Sequence, residues 1–163
     1  MSNSLIFYVS IAICAGAAII GYLVTRKPVD SWYLKIIKPS FSPPDWIFGP
    51  VWSVLYLMMG ISLYLVWFQE TLGVYIKTAL IIFGIQLFLN IAWSFFFFRA
   101  HSPLFALFDI AFLWLAIVFT IIYFYPISFV AAWLLVPYLI WVSFASILNY
   151  SVWRLNRDVK INN

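Results

Sequence analysis

Apolar residues run almost unbroken from Leu5 to Val24, and then "TRKPVDSWYLKIIKPSFSPPD" mixes charge with aromatics for the first time. Four more apolar runs follow, at about 46–68, 78–98, 103–125 and 129–153, with only short turns between them. The first run, about 5–25, is long enough to cross ~30 Å of hydrocarbon at ~1.5 Å per residue, and the others match it. The pattern predicts an all-α membrane protein: one integral domain over 1–163, a bundle of five transmembrane helices, and a long first loop. Short connections predict that helices two to five are antiparallel neighbours.

Composition sharpens this picture. Only 9% of residues are charged and 66% are hydrophobic, whereas a soluble domain carries about 25% charged residues. "MSNS" lacks a positive leader region and the apolar run outlasts a signal peptide, so the first span is expected to be retained. Arg26, Lys27, Lys35, Lys38, Arg99, Arg154, Arg157 and Lys160 fall on one side of the predicted topology, and Lys77 alone on the other. The positive-inside rule then puts the first loop, the third loop and the C-terminus inside and the N-terminus outside. That bias suits a bacterial cytoplasmic membrane.

Several chemistries drop out. One cysteine (Cys14) and one histidine (His101) cannot build a disulfide framework or a zinc site of the usual ligand count. The chain has no GxGxxG, P-loop or GxSxG motif. The net charge of +4 lies beside the spans, which points to lipid headgroups rather than nucleic acid. No metal and no bound cofactor is expected.

What remains is the small set of polar and aromatic side chains inside the spans, where an unsatisfied group is costly. Gln86, Asn90, Trp93 and Phe97 share one face of helix three; they read either as interhelical hydrogen bonding or as ligand contacts. Pro137, Trp141, Ala145, Asn149 and Trp153 recur at i+4 on helix five. Pro137 leaves the Trp133 carbonyl without its helical partner and predicts a bend, below which Ala145 makes a slot beside Trp141. Trp52, Tyr56, Met59 and Leu63 share a face of helix two. Together the three faces can enclose an interhelical pocket for a flat, apolar, aromatic molecule, or they can simply pack.

Other features read more blandly. Asp109, the acid within a span, lies near enough to the interface to snorkel or to accept from an indole N–H. Ser102-Pro103 forms an N-cap and N1 pair for helix four. Ala12/Gly16 and Ala17/Gly21 are small-xxx-small pairs suited to a neighbouring helix or a dimer contact. Leu148 to Arg154 matches the permissive cholesterol pattern, which any aromatic helix end can do.

The stretch "KPSFSPPDWIFGPVW" (38–52) resembles the Pro-rich signature of the tryptophan-rich sensory protein/translocator protein (TspO/MBR) family. "LNIAWSFFFF" is similar to that family's third helix and "PYLIWVSFASILNYSVWRLN" to its fifth. The resemblance implies a five-helix bundle, often a homodimer, binding porphyrins and benzodiazepine-type ligands, with cholesterol binding in animal members. It implies a pocket beneath the first loop among helices one, two, three and five. By motif it assigns Trp52, Asn90, Trp93, Trp141, Ala145 and Trp32 to ligand binding; Tyr56 joins them from the helix-two face. Lys35 and Lys38 stand where they would meet the propionates of protoporphyrin IX.

Prolines at 39, 43, 44 and 50 fix φ near −65° and remove backbone donors, so helix two either starts late or bends. The loop becomes a lid on a stiff bracket that aims Trp52, and a braced side chain loses less entropy on binding. The reading is a receptor or carrier for porphyrin-like tetrapyrroles in stress sensing or tetrapyrrole homeostasis. The alternatives are a light- and oxygen-dependent porphyrin-degrading enzyme that uses Trp52 and Trp141, and a ligand-free membrane scaffold.

Overall fold

A computed structural model of the chain describes residues 2–25, 31–69 and 73–157. Arg26, Lys27 and Lys160, which entered the charge bias, lie outside the described residues. The helices are α1 (Asn3–Thr25), α2 (Ser31–Lys35), α3 (Phe48–Trp67), α4 (Gly73–Phe98), α5 (Pro103–Phe124), α6 (Phe129–Leu134) and α7 (Val136–Asn156). Among the described residues no strand occurs. Five helical segments are long and apolar enough to cross a membrane, α6 and α7 together forming the fifth.

Local chemistry sets the boundaries. A 3-10 turn over Asp45–Ile47 leads into α3, so Pro50 falls in the first turn of α3, where helical N–H groups have no intrahelical acceptor anyway. The helix therefore starts late instead of bending. Ser102 caps α5, its hydroxyl accepting from the Phe105 N–H at 3.4 Å with Pro103 next in line. The α4–α5 turn is closed by the Ala100 N–H on Phe95 O and the Ser102 N–H on Phe96 O, both at 3.0 Å. Between them His101 takes φ +50°, a left-handed conformation in which histidine is enriched among non-glycine residues.

The fifth span breaks where proline predicts trouble. Leu135 donates its N–H to Ala132 O at 3.1 Å, one residue short of the α-helical partner. The Ala131 carbonyl thereby loses its helical donor and accepts instead from Ser62 Oγ of α3 at 2.8 Å. This bond ties the short α6 to α3.

Packing makes a ring. α1 lies against both α3 and α4, α4 against α5, α5 against α6 and α7, and α6 against α3. The expectation of sequential neighbours holds for α4 with α5 and for α5 with α6 and α7, whereas α3 and α4 touch only sparsely and each packs mainly along α1 or another helix. The α1–α3 seam is close, and a Cβ added at Gly60 would stand 2.8 Å from Ile11 Cδ1 and 3.3 Å from Ile11 Cα. Of the small-residue pairs on α1, Ala17 and Gly21 face inward, while Ala12 is exposed and Gly16 has open space.

Away from the first loop the interior is filled by large buried side chains. Met59, Val66, Phe83, Ile117 and Phe124 are fully buried, and the Phe83 and Phe124 rings stack at 5.7 Å. Space is left at the other end of the bundle, under the loop.

Candidate functional site

A cavity of about 670 Å³ opens between α1, α3 and α4 beneath the first loop. On α1, Ala18 and Gly21 keep the wall thin; the missing Cβ of Gly21 would lie 3.8 Å from both Tyr56 Oη and Ser94 Oγ. Trp52, Tyr56 and Phe48 line the α3 side, and Asn90, Trp93 and Phe98 the α4 side. Trp52 and Phe48 are four residues apart and so share a helical face.

Hydrogen bonds hold these walls in place. The Tyr56 hydroxyl donates to Asn90 Oδ1 at 2.6 Å, and Asn90 Nδ2 donates to the buried Tyr138 hydroxyl at 2.8 Å. One amide thus links α3, α4 and α7. Trp93 Nε1 donates to Asn149 Oδ1 at 2.9 Å, and Asn149 Nδ2 donates to Pro103 O at 2.8 Å. Among the described residues Trp52 has no such bond. It is oriented by rings, tilted on Tyr56 at 5.6 Å and edge-on to Tyr138 at 6.1 Å.

The lid is fastened at three points. Asp45 accepts from Lys38 Nζ at 3.1 and 3.2 Å and from the Tyr33 hydroxyl at 3.0 Å. Lys38 Nζ also lies 3.9 Å above the Tyr33 ring. Burial pushes the Tyr33 phenol above its ordinary pKa. Burial by itself would lower Lys38, but its contacts with Tyr33 and Asp45 outweigh that and raise it; it stays cationic. Asn156 at the end of α7 holds the Ile37 backbone. Trp32, buried, stacks on His101 with ring centroids 4.8 Å apart and meets the edge of Phe97.

The comparisons with known proteins agree with one another. The chain matches the TspO/MBR family over residues 10–154. It is 44% identical to tryptophan-rich protein TspO of Chlorobaculum tepidum over 150 residues, covering 90% of this chain and 92% of that protein. It is 42% identical to tryptophan-rich protein TspO of Archaeoglobus fulgidus, covering 83% of this chain and 87% of that one. With the translocator protein of Homo sapiens it shares 44% identity across 77% of this chain and 75% of the relative.

The chain belongs to the TspO/MBR family.

As a TspO/MBR protein it is a multi-pass membrane protein. The residues expected at one pocket occupy four environments, Trp32 lining neither cavity and packing on His101 and Phe97 instead. Trp52, Tyr56, Asn90 and Trp93 border the large cavity. Ala145 borders a second space of about 50 Å³ between the loop, α4 and α7, together with Lys38 and Asn149. Trp141 packs on Phe48 at 5.7 Å and Phe144 at 5.6 Å, and its buried Nε1 has no hydrogen-bond partner among the described residues. Tyr33, Phe48, Trp93 and Phe98 line both spaces and form the partition between them. Lys35 is exposed at the end of α2 and borders neither.

Sequence reasoning passed over Phe48, Phe98, Tyr33 and Arg99, all of which line the large cavity. Phe48 had a usable signal, since it lies one turn before Trp52. Phe98 and Arg99 sit at a span end, where aromatics and cations are ordinary. Buried Gln86 and Asp109 lie outside the cavity lining; both Gln86 amide atoms and Asp109 Oδ2 lack hydrogen-bond partners among the described residues. The described residues contain no group of three His, Cys, Asp or Glu able to hold a metal.

Proposed function

We propose that this TspO/MBR protein is a membrane receptor or carrier for flat, largely apolar ligands of the porphyrin class, protoporphyrin IX among them, in tetrapyrrole homeostasis or stress sensing. The supporting observation is the cavity of about 670 Å³ beneath the loop, walled by Trp52, Trp93, Phe48 and Phe98. Small-molecule sites run from about 300 to 1,000 Å³, mostly apolar with a few placed polar groups. Here the placed polar groups include Asn90, the Tyr56 hydroxyl and Ser94. A planar ring against Trp52 gains about 0.5–1.5 kcal/mol from offset stacking beyond its buried area. Benzodiazepine-type molecules meet the same description.

In this reading the loop, the α4–α5 turn and the end of α7 lie together on the cytoplasmic face of a bacterial membrane. The Trp32–His101 stack and the Ile37–Asn156 pair place those three segments side by side.

The test is a dark titration of the detergent-purified protein with protoporphyrin IX, read as tryptophan quenching. Saturable quenching is expected, with affinity about tenfold weaker in Trp52→Ala, equivalent to about 1.4 kcal/mol. Unchanged affinity in that variant would sink the assignment. Protein-dependent loss of the porphyrin band under illumination, abolished by Trp52→Phe, would favour the degradative alternative.

A further inference from the structure

Among the described residues the charges around the large cavity do not balance. Two of those residues in its lining are charged, Asp45 and Arg99. Asp45 is already neutralised, since both of its oxygens take hydrogen bonds from Lys38 and one also accepts from Tyr33. Arg99 has no such counterpart among the described residues. Its main-chain N–H closes the end of α4 on Phe95 O at 2.9 Å. Among the described residues no ion pair or hydrogen bond engages its guanidinium. The side chain is half-buried, set beside Phe98 and one turn past Phe95. Among the described residues the cavity therefore presents one cation without a charged partner, at the rim of a largely aromatic wall.

We infer that Arg99 is the specificity-determining residue of this site, reading an oxyanion carried by a flat apolar ligand. This rests on the cavity reading above and deepens it. A guanidinium is always charged and can grip a carboxylate with two parallel N–H donors. Lys38 is spent on Asp45, and Lys35 lies outside the cavity. Among the described residues Arg99 is thus the cation placed to meet an acid on the bound molecule. The site then prefers an amphiphile with its ring system against Trp52 and its carboxylate at the end of α4. An otherwise identical neutral molecule binds less well, because it leaves the guanidinium half-desolvated and unpaired. Two molecules offer the chemistry: the carboxylate of the cavity ligand and the phosphate of an anionic lipid. The guanidinium's place on the cavity wall favours the first.

The test compares acids with their esters. Protoporphyrin IX and its dimethyl ester form one pair, pyrenebutyric acid and its methyl ester a second. Each is titrated in dodecyl maltoside against wild type, Arg99→Gln, Arg99→Lys and the charge control Lys77→Gln, with folding checked by circular dichroism. Wild type and Lys77→Gln should prefer each acid by about fivefold to tenfold, the range for one partly exposed charged hydrogen bond. Arg99→Gln should bring the ratio close to one, and Arg99→Lys should restore part of it.

Equal acid-to-ester ratios in wild type and Arg99→Gln would overturn the inference. If only the pyrene pair binds and its ratio depends on Arg99, the inference stands while the porphyrin reading fails. Binding by none of the four would overturn both. A parallel titration with phosphatidylglycerol separates the sources. Arg99-dependent lipid binding without any acid preference would assign Arg99 to a headgroup and overturn the ligand reading.

Discussion

The side-chain amide of Asn156 closes on both main-chain groups of Ile37, accepting from its N–H at 2.9 Å and donating to its carbonyl at 2.9 Å. One residue near the end of the fifth span thus stands in for a strand partner to the first loop. Asn156→Ala removes both bonds at a partly exposed position, for a loss of about 1 kcal/mol. Hydrogen–deuterium exchange should show faster exchange of the Ile37 amide while the interior of α3 and α4 stays protected. Asn156→Asp should not rescue it, because a carboxylate would face the Ile37 carbonyl.

Gly60 sets how closely α1 and α3 approach. A methyl group there meets Ile11 Cδ1 at 2.8 Å and Ile11 Cα at 3.3 Å. The first contact is with a flexible tip and the second with backbone, so Gly60→Ala should lower stability in detergent by about 1–3 kcal/mol. Ile11→Val deletes that tip. The double variant should melt above Gly60→Ala alone, and strict additivity of the two single changes would contradict the contact.

Asn90 depends on two tyrosines, and only one of them lines the cavity. Tyr138→Phe keeps the ring that meets the edge of Trp52 but strands Asn90 Nδ2. The expected loss is about 1 kcal/mol, at the scale of interhelical bonds in membranes. It should appear as a lower melting temperature with tryptophan emission little changed.

Gln86 is 1% exposed, and neither of its amide atoms finds a hydrogen bond among the described residues. Methionine matches its length and needs no partner. Gln86→Met should therefore raise thermal stability by about 1 kcal/mol. A lower melting temperature would contradict an unsatisfied amide.

Length and hydropathy were enough to read the five spans, because a bilayer demands ~20 apolar residues whatever the packing. Ser102-Pro103 was legible for a similarly local reason: a cap is written in two adjacent residues. The neighbour relations were legible only in part. The short connection before α4 suggested contact with α3, but that contact is sparse and each also packs along α1, and the close α1–α3 approach depends on Gly60, an isolated glycine with no motif around it. Within the site, helical spacing found Trp52, Tyr56, Asn90 and Trp93. It missed Arg99 because a cation at a span end looks the same whether it faces headgroups or a cavity. Pro137 announced a break in the fifth span, but not that Ser62, 69 residues away in sequence, would take up the Ala131 carbonyl beside it.

The ring order has a consequence for how the protein is made. α1 must be flanked by α3 and by α4, and the circle closes only when α6 reaches α3. During synthesis the chain emerges N-terminus first, so the nascent protein is an open arc until residues beyond 129 have been inserted. Before then Asn90 and Trp93 lack their α7 partners, Tyr138 and Asn149, and the loop lacks the Asn156 clasp on Ile37. A stop codon anywhere in the last span would yield not a weakened bundle but a set of helices with an open side, which membrane quality control should remove.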